Sequence, residues 1–464
     1  MTTIIKKYLI IPIAFILFMW QSGCKKLIES PIPTNVLISS SVFLDSLTTQ
    51  AAVNGMYRQY YMSSGSSYFD INIQLDPARL ADETYAVSNA IDNFSSNTLT
   101  PAEGNVNTLW NNSYTCIYTA NNIIQSAESS PNLTSTLKKQ VVGEALFMRS
   151  LLYFYLINYY GDVPLVLSTD ITITGSLPRT PVATVYSQIV SDLLIARNSL
   201  STTFSWSQND RTRANSWAAS ALLARVYLYQ GNWSAAEAEA TRVINNTALF
   251  KIVPDPNNVF LKNSTETIFA FYANFNGFPQ QTLPGSGNYL TGTQLPLYAI
   301  RPQLLSAFES GDTRATKWIG TATFNNVVYK FPYKYKAITN TNTELQICLR
   351  LSELYLIRSE ARMQQGNLVG DNSAQSDLNV IRNRAGLGNT AASVPSLLAP
   401  AIAQERRIEL FVEWGDRWLN LKRTNMATAV LSLIKPQWKP TAVLYPIPQT
   451  AILTNPSLIP NPGY

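Results

Sequence analysis

The sequence predicts a mostly α-helical protein. Tetratricopeptide-like helix pairs form its scaffold, and long irregular insertions and a few short strands are set into it. Apolar residues recur at helical spacing over most of the chain, one segment carries the spacing of a helical-hairpin repeat, and two long stretches carry neither pattern. Phe43 to Tyr61 reads as the first helix, opened by the capping region Ser39-Ser40-Ser41. Thr108 to Ser126 is the next. Leu137 to Tyr160 is long and strongly apolar, and Gly161-Asp162-Val163-Pro164 stops it. Val182 to Leu200 follows, with Pro181 at its first turn. In Trp217 to Ile244, residues Leu223, Ala224, Tyr227, Gly231, Trp233, Ala236 and Ala240 fall at tetratricopeptide spacing. Gly231 permits the tight turn, the alanines let two helices approach, and Tyr227 and Trp233 fill the groove. A looser pair runs from Leu349 to Arg384 with its turn near Gly366, and Leu137 to Gly161 supplies a further helix of this kind. Repeats this degenerate suit a scaffold inside a larger domain.

Between these helices the texture changes. Tyr68 to Gly104 and Thr247 to Ile347 are rich in Asn, Gly, Thr, Pro and aromatics. Within the second, Thr267 to Ala273 and Asn326 to Tyr335 read as short strands or extended loops. Irregular insertions this long are usually functional. The proline-rich tail, Leu444 to Tyr464, is expected to be extended.

Composition narrows the chemistry. The 464 residues are 46% apolar and 14% charged, which is a folded chain and not a disordered one. There is no histidine, so His-based nucleophile arrangements and His-ligated zinc are excluded. Paired carboxylates stay available. The net charge of +6 includes Lys6 and Lys7 near the N-terminus, and no basic run suggests a nucleic-acid partner. No EF-hand loop, phosphate-cradling glycine loop or CxxC motif is present, so no cofactor is expected; a structural calcium held by scattered loop oxygens would leave no such motif.

The N-terminus reads as an address. Lys6 and Lys7 precede an apolar run of 13 residues, Tyr8 to Trp20, which suits a signal core better than a membrane span. Gln21-Ser22-Gly23-Cys24 then places small residues before a cysteine, as lipoprotein signal peptidase requires. Residues 1–23 are therefore expected to be a signal peptide, Cys24 the lipidated residue, and 24–38 a tether. Acyl chains contribute ~0.8 kcal/mol per buried methylene, so a triacylated Cys24 would anchor the chain stably. Cys116 and Cys348 each lie in an apolar helical pattern and read as separate buried thiols rather than a pair.

Five segments, in order along the chain, together resemble the SusD-like (RagB/SusD) outer-membrane nutrient-uptake lipoproteins of Bacteroidetes. They are WNNSYTCIYTANNII (110–124), GEALFMRSLLYFYLINYYGDVPLV (143–166), the Leu349 to Leu387 stretch with SELYLIRSEA and LNVIRNRAGL, AQERRIELFVEWGDRWLNLKR (403–423), and YPIPQTAILTNPSLIPNPGY (445–464). The resemblance implies a single SusD-like domain over 39–464, with ligand-facing insertions near 68–104 and 247–347. It implies a non-catalytic lipoprotein, anchored in the outer membrane and exposed at the cell surface. Such a protein captures a glycan or oligosaccharide and delivers it to a partner TonB-dependent outer-membrane transporter.

Sugar recognition needs flat apolar faces for pyranose rings and planar polar groups for hydroxyls. The first insertion offers Asp82, Glu83, Tyr85, Asn89 and Phe94. The second offers Tyr272, Asn274, Phe275, Asn276, Phe278, Gln280 and Tyr289, with Trp318 following. Two other readings stay open. Helical-repeat grooves suit a peptide or another small nutrient. A glycoside hydrolase would use Glu409 and Glu413, spaced i, i+4, or Glu83. The dense charges Glu405, Arg406, Arg407, Glu409, Glu413, Asp416 and Arg417 read more simply as an ion-pair network on one helix. Trp414 and Trp418 read as core, and Arg382 and Arg384 as holding a helix end.

Overall fold

A computed structural model describes residues 42–61, 71–87, 92–272, 295–336 and 343–464. Cys24, Asn89, Asn274, Phe275, Asn276, Phe278, Gln280 and Tyr289 lie outside the described residues.

Helices run consecutively and pack on their sequence neighbours. Helix α1 (Ser46–Tyr61) lies against α3 (Gly104–Ser129) and α4 (Ser135–Tyr160), with the short α2 (Asp76–Leu80) between α1 and α3 in the chain. Helix α4 packs on α5 (Val182–Ser199), α5 on α6 (Ser216–Tyr229), α6 on α7 (Trp233–Ile244), and α7 on α8 (Leu351–Gln364). Helix α8 then meets α9 (Ala374–Arg384) and α10 (Pro395–Glu409). The expected hairpins are α6–α7 and α8–α9. Each helix pair turns through a glycine at positive φ, Gly231 at +71° and Gly366 at +81°, a region that an L side chain disfavours. Ala218, Ala221, Ala224, Ala236 and Ala240 are all buried where α6 and α7 meet. Helix α4 is long and apolar enough to cross a membrane, but its apolar window is wholly buried, which makes it the central core helix.

The strands lie in the insertions, except that the last, Gln346–Arg350, runs out of the second one into the scaffold. Strand β1 (Thr84–Ala86) pairs antiparallel with β3 (Tyr298–Ile300), and β2 (Thr267–Phe271) with β6 (Gln346–Arg350). Strands β4 (Ile319–Phe324) and β5 (Val327–Pro332) form a hairpin. Its two turn residues, Asn325 and Asn326, both have positive φ, as a tight two-residue hairpin turn requires. The second insertion carries its own small core. Trp318, Phe260, Phe411, Tyr335, Ile300 and Ile347 pack there, apart from the main helical core.

Three expectations are corrected. The tail is not wholly extended: Gln449–Thr454 is a helix, α12, and Pro448 stands just before it, where proline initiates rather than breaks. The charge cluster of 405–417 does not lie on one helix. Helix α10 ends at Glu409 and α11 begins at Asp416 (Asp416–Arg423), with Val412, Trp414 and Gly415 at positive φ between them. Arg384 does more than hold a helix end, since it joins Glu266 and Glu409. Cys116 and Cys348 are buried and form no disulfide with each other.

Candidate functional site

The two insertions meet at the β1–β3 ladder. Thr84 faces Ile300, Tyr85 faces Ala299 and Ala86 faces Tyr298. Backbone bonds extend the pairing at both ends, from Val87 N–H to Leu297 O (3.0 Å) and from Arg301 N–H to Glu83 O (2.8 Å). Segments far apart in sequence thus share one edge.

Beside this edge opens a cleft of ≈ 860 Å³, lined by Tyr85, Asp92, Asn93, Ser95, Thr98 and Gln437 among others. Its shape comes from a short helical turn, Asn93–Ser96, started by the Asp92 carboxylate, which accepts from Phe94 N–H at 3.2 Å. Behind it, Arg79 is held rigidly. Its guanidinium pairs with Asp76 and with Asp92 (2.7 Å) and lies between the rings of Phe94 (4.8 Å) and Tyr298 (5.2 Å). Burial raises the Asp92 carboxyl, but Arg79 and Ser95 more than offset this, so it titrates below its usual range. Lys435 forms the far wall. Its ammonium donates to Arg79 O (2.7 Å), Leu80 O and Asn97 Oδ1 (2.6 Å), and burial pushes its pKa well below that of an ordinary lysine.

Tyr85 is half-buried and borders the cleft, so an aromatic face stands beside an amide, hydroxyls and a carboxylate. That mixture suits a polyhydroxylated ring, which needs apolar stacking and convergent polar groups together.

The other expected residues have different places. Trp318 is 0% exposed and is no ligand platform: its indole N–H donates to Pro256 O (2.9 Å) inside the second core. Phe94 is buried under Arg79 and edge-on to Tyr445. Asp82 is buried between Arg407 (2.6 Å) and Arg417 (2.6 Å) and ties the first insertion to α10 and α11. Glu83 is buried as well. One carboxylate oxygen accepts from Val412 N–H (3.2 Å) and the other has no partner; burial, then the nearby Asp82 charge, raises its pKa to about 8. Tyr272 is exposed, but its hydroxyl is bound to Asp210 and it does not line the cleft.

The carboxylates proposed for hydrolysis are inside an ion network. Glu409 meets Arg350 (2.5 Å), Arg314 (2.8 Å) and Arg384, and Glu413 meets Lys334 (2.5 Å) and Arg350 (2.7 Å). Burial would raise the Glu409 carboxyl, yet Arg384, Arg350 and Arg314 together hold it well below the carboxylate range. Neither glutamate has free room to act on a glycosidic bond. Trp414 and Trp418 are buried, as expected of core.

Sequence reasoning missed Asn93, Ser95, Ser96, Thr98 and Gln437. The run of amide and hydroxyl groups around Phe94 was the available signal for the first four. Gln437 comes from a distant segment and carried no signal of its own.

Comparison with known proteins agrees with this architecture. A family model described as "Starch-binding associating with outer membrane" matches residues 28–228, and one described as "SusD family" matches residues 305–464. SusD-like protein P2 of Formosa agariphila is 28% identical, over 99% of this chain and 100% of its own length. A SusD superfamily protein from Bacteroides vulgatus superposes with a TM-score of 0.78 at 20% identity, covering 91% of this chain and 100% of that one. A laminarin-binding SusD-like protein superposes with a TM-score of 0.73 at 24% identity, covering 90% and 98%.

Proposed function

Because the chain belongs to the SusD family, we propose that it is a non-catalytic binding lipoprotein that captures a glycan or oligosaccharide in the cleft beside Tyr85. It hands the ligand to a TonB-dependent outer-membrane transporter while Cys24 anchors it in the outer membrane at the cell surface. The observation that carries this reading is the β1–β3 ladder, which joins both insertions at a cleft where a half-buried tyrosine stands among amide and hydroxyl groups. The laminarin-binding neighbour supports a saccharide as the ligand class. The Glu409 network supports a binding role over hydrolysis, since its carboxylates are committed to buried cations.

Affinity electrophoresis of the chain from Lys25 onward against a polysaccharide panel tests the binding role. Retardation by at least one glycan, lost in Tyr85→Ala, is expected. Folded protein retarded by none, with saturable peptide binding instead, would replace the saccharide with a peptide. Co-purification from native outer membranes tests the transporter, which should be recovered with the tagged chain.

A further inference from the structure

The guanidinium of Arg301 stands apart from most others in the protein. Arg149 pairs with Asp192 (2.8 Å), Arg213 with Glu144 (2.8 Å), Arg225 with Glu353 (2.6 Å) and Arg358 with Asp377 (2.7 Å). Arg314, Arg350 and Arg384 share the carboxylates of the Glu409 network. Arg301 has no ion-pair partner among the described residues. Its Nε donates to Thr84 O (3.1 Å) and its Nη2 to Ser95 O (3.4 Å), both neutral carbonyls, and Nη1 has no partner among the described residues. The nearest acids are already committed, Asp92 to Arg79 and Asp82 to Arg407 and Arg417.

Its position gives this charge a use. Ser95 and Tyr85 line the cleft, and the guanidinium carbon lies 5.9 Å from the centre of the Tyr85 ring. Arg301 is half-buried, so water screens its charge incompletely. Lys435, which lines this cleft, is buried and spends its N–H groups on neutral oxygens of the protein. Arg301 thus stands beside Tyr85 and Ser95 of the cleft wall without an acid of its own. Other arginines without an acid partner lack this setting. Arg211 is clamped between Phe204 (4.8 Å) and Phe250 (5.1 Å), and Arg242 lies over Trp217 (4.8 Å). Arg179 borders a different cleft but donates to Asp162 O, Ile459 O, Tyr160 O and Asn461 Oδ1.

We propose that the cleft takes an anionic saccharide, one bearing a carboxylate or a sulfate ester, and that Arg301 reads the charge beside the Tyr85 face. The proposal rests on the reading of this cleft as the binding site. A planar fork with a free N–H suits either oxyanion, and the bond it makes is charge-assisted.

The test is calorimetric titration of the full chain with three probes: an oligogalacturonate, a sulfated galactan oligosaccharide and a neutral laminarin oligosaccharide. One anionic probe should bind, more weakly as NaCl is raised, and the probe that binds distinguishes carboxylate from sulfate. Arg301→Gln should weaken that binding about ten- to a hundredfold, with Arg301→Lys intermediate and the melting temperature little changed. If Arg301→Gln does not fold, Arg301→Lys and the salt dependence of the unaltered protein decide. Laminarin binding as tight as the anionic probes, or affinity unchanged in Arg301→Gln, overturns the proposal, as does binding of no probe to folded protein. If Tyr85→Ala abolishes laminarin binding and Arg301→Gln does not, the cleft stands and the charge reading falls. If an anionic probe binds equally well to Tyr85→Ala, the cleft reading itself falls.

Discussion

Around Glu409, each charge is answered by another: Arg314, Arg350 and Arg384 on one carboxylate, and Lys334 and Arg350 on Glu413. Around Tyr85, the same residue types end differently. Arg301 and Lys435 meet carbonyl and amide oxygens, and the hydroxyl and amide groups of the cleft wall reach solvent. The first region joins the second insertion, through Glu266, Arg314 and Lys334, to the scaffold helices α9 and α10 and to the connection that follows α10. Its specificity is for the protein's own fold. In the second, Ser95, Ser96 and Thr98 are bonded locally, but the Arg301 Nη1 and the exposed Gln437 amide have no partner among the described residues, and those groups are what a ligand can take up.

The sharpest way to break this contrast is to remove the hub. Glu409→Ala strips three buried guanidiniums of a shared counter-charge and should cost about 3–5 kcal/mol by chemical denaturation. The pH profile carries the same sign. A carboxyl held well below its usual pKa contributes stability above the ordinary carboxylate range and loses it as pH falls through the folded value. The unaltered protein should therefore weaken in acid, and Glu409→Ala should weaken less. A flat profile would contradict the hub.

Trp318→Phe comes next. It removes the bond to Pro256 O and leaves a void in the second core, at about 2–3 kcal/mol, and should leave ligand affinity unchanged. Glu83→Gln should act in the opposite direction. The folded pKa of about 8 lies above the ordinary glutamate value of 4.5, so Glu83 favours folding most below pH 4.5 and progressively less up to about 8. The glutamine variant should be more stable at pH 8 by up to about 4 kcal/mol and nearly unchanged at pH 4. Equal stability at both pH values would refute a protonated Glu83. Tyr85→Ala is the smallest for the fold, within about 0.5 kcal/mol, and sharpens the comparison by losing about tenfold in glycan affinity.

Much of the scaffold was legible because its signals are local. The alanines and Gly231 of Trp217–Ile244 state a helical hairpin within one window, and the apolar run of 137–160 can only be a core helix or a span. The site was less legible because its geometry is not local. A three-residue strand such as Thr84–Ala86 has no period to detect, and its partner is Tyr298–Ile300 in the other insertion. Trp318 misled for a related reason. Polar neighbours suggested exposure, while a separate core, built from Phe260, Tyr335 and Phe411, encloses it. Of the expected ligand groups among the described residues, Tyr85 alone lines the cleft.

The most direct measurement compares Tyr85→Ala with Trp318→Phe in affinity electrophoresis against the glycan that retards the unaltered protein. Loss of retardation in Tyr85→Ala, with retardation kept in folded Trp318→Phe, is the predicted result. Retardation kept in Tyr85→Ala and lost in folded Trp318→Phe would contradict the account and move the site away from the β1–β3 edge.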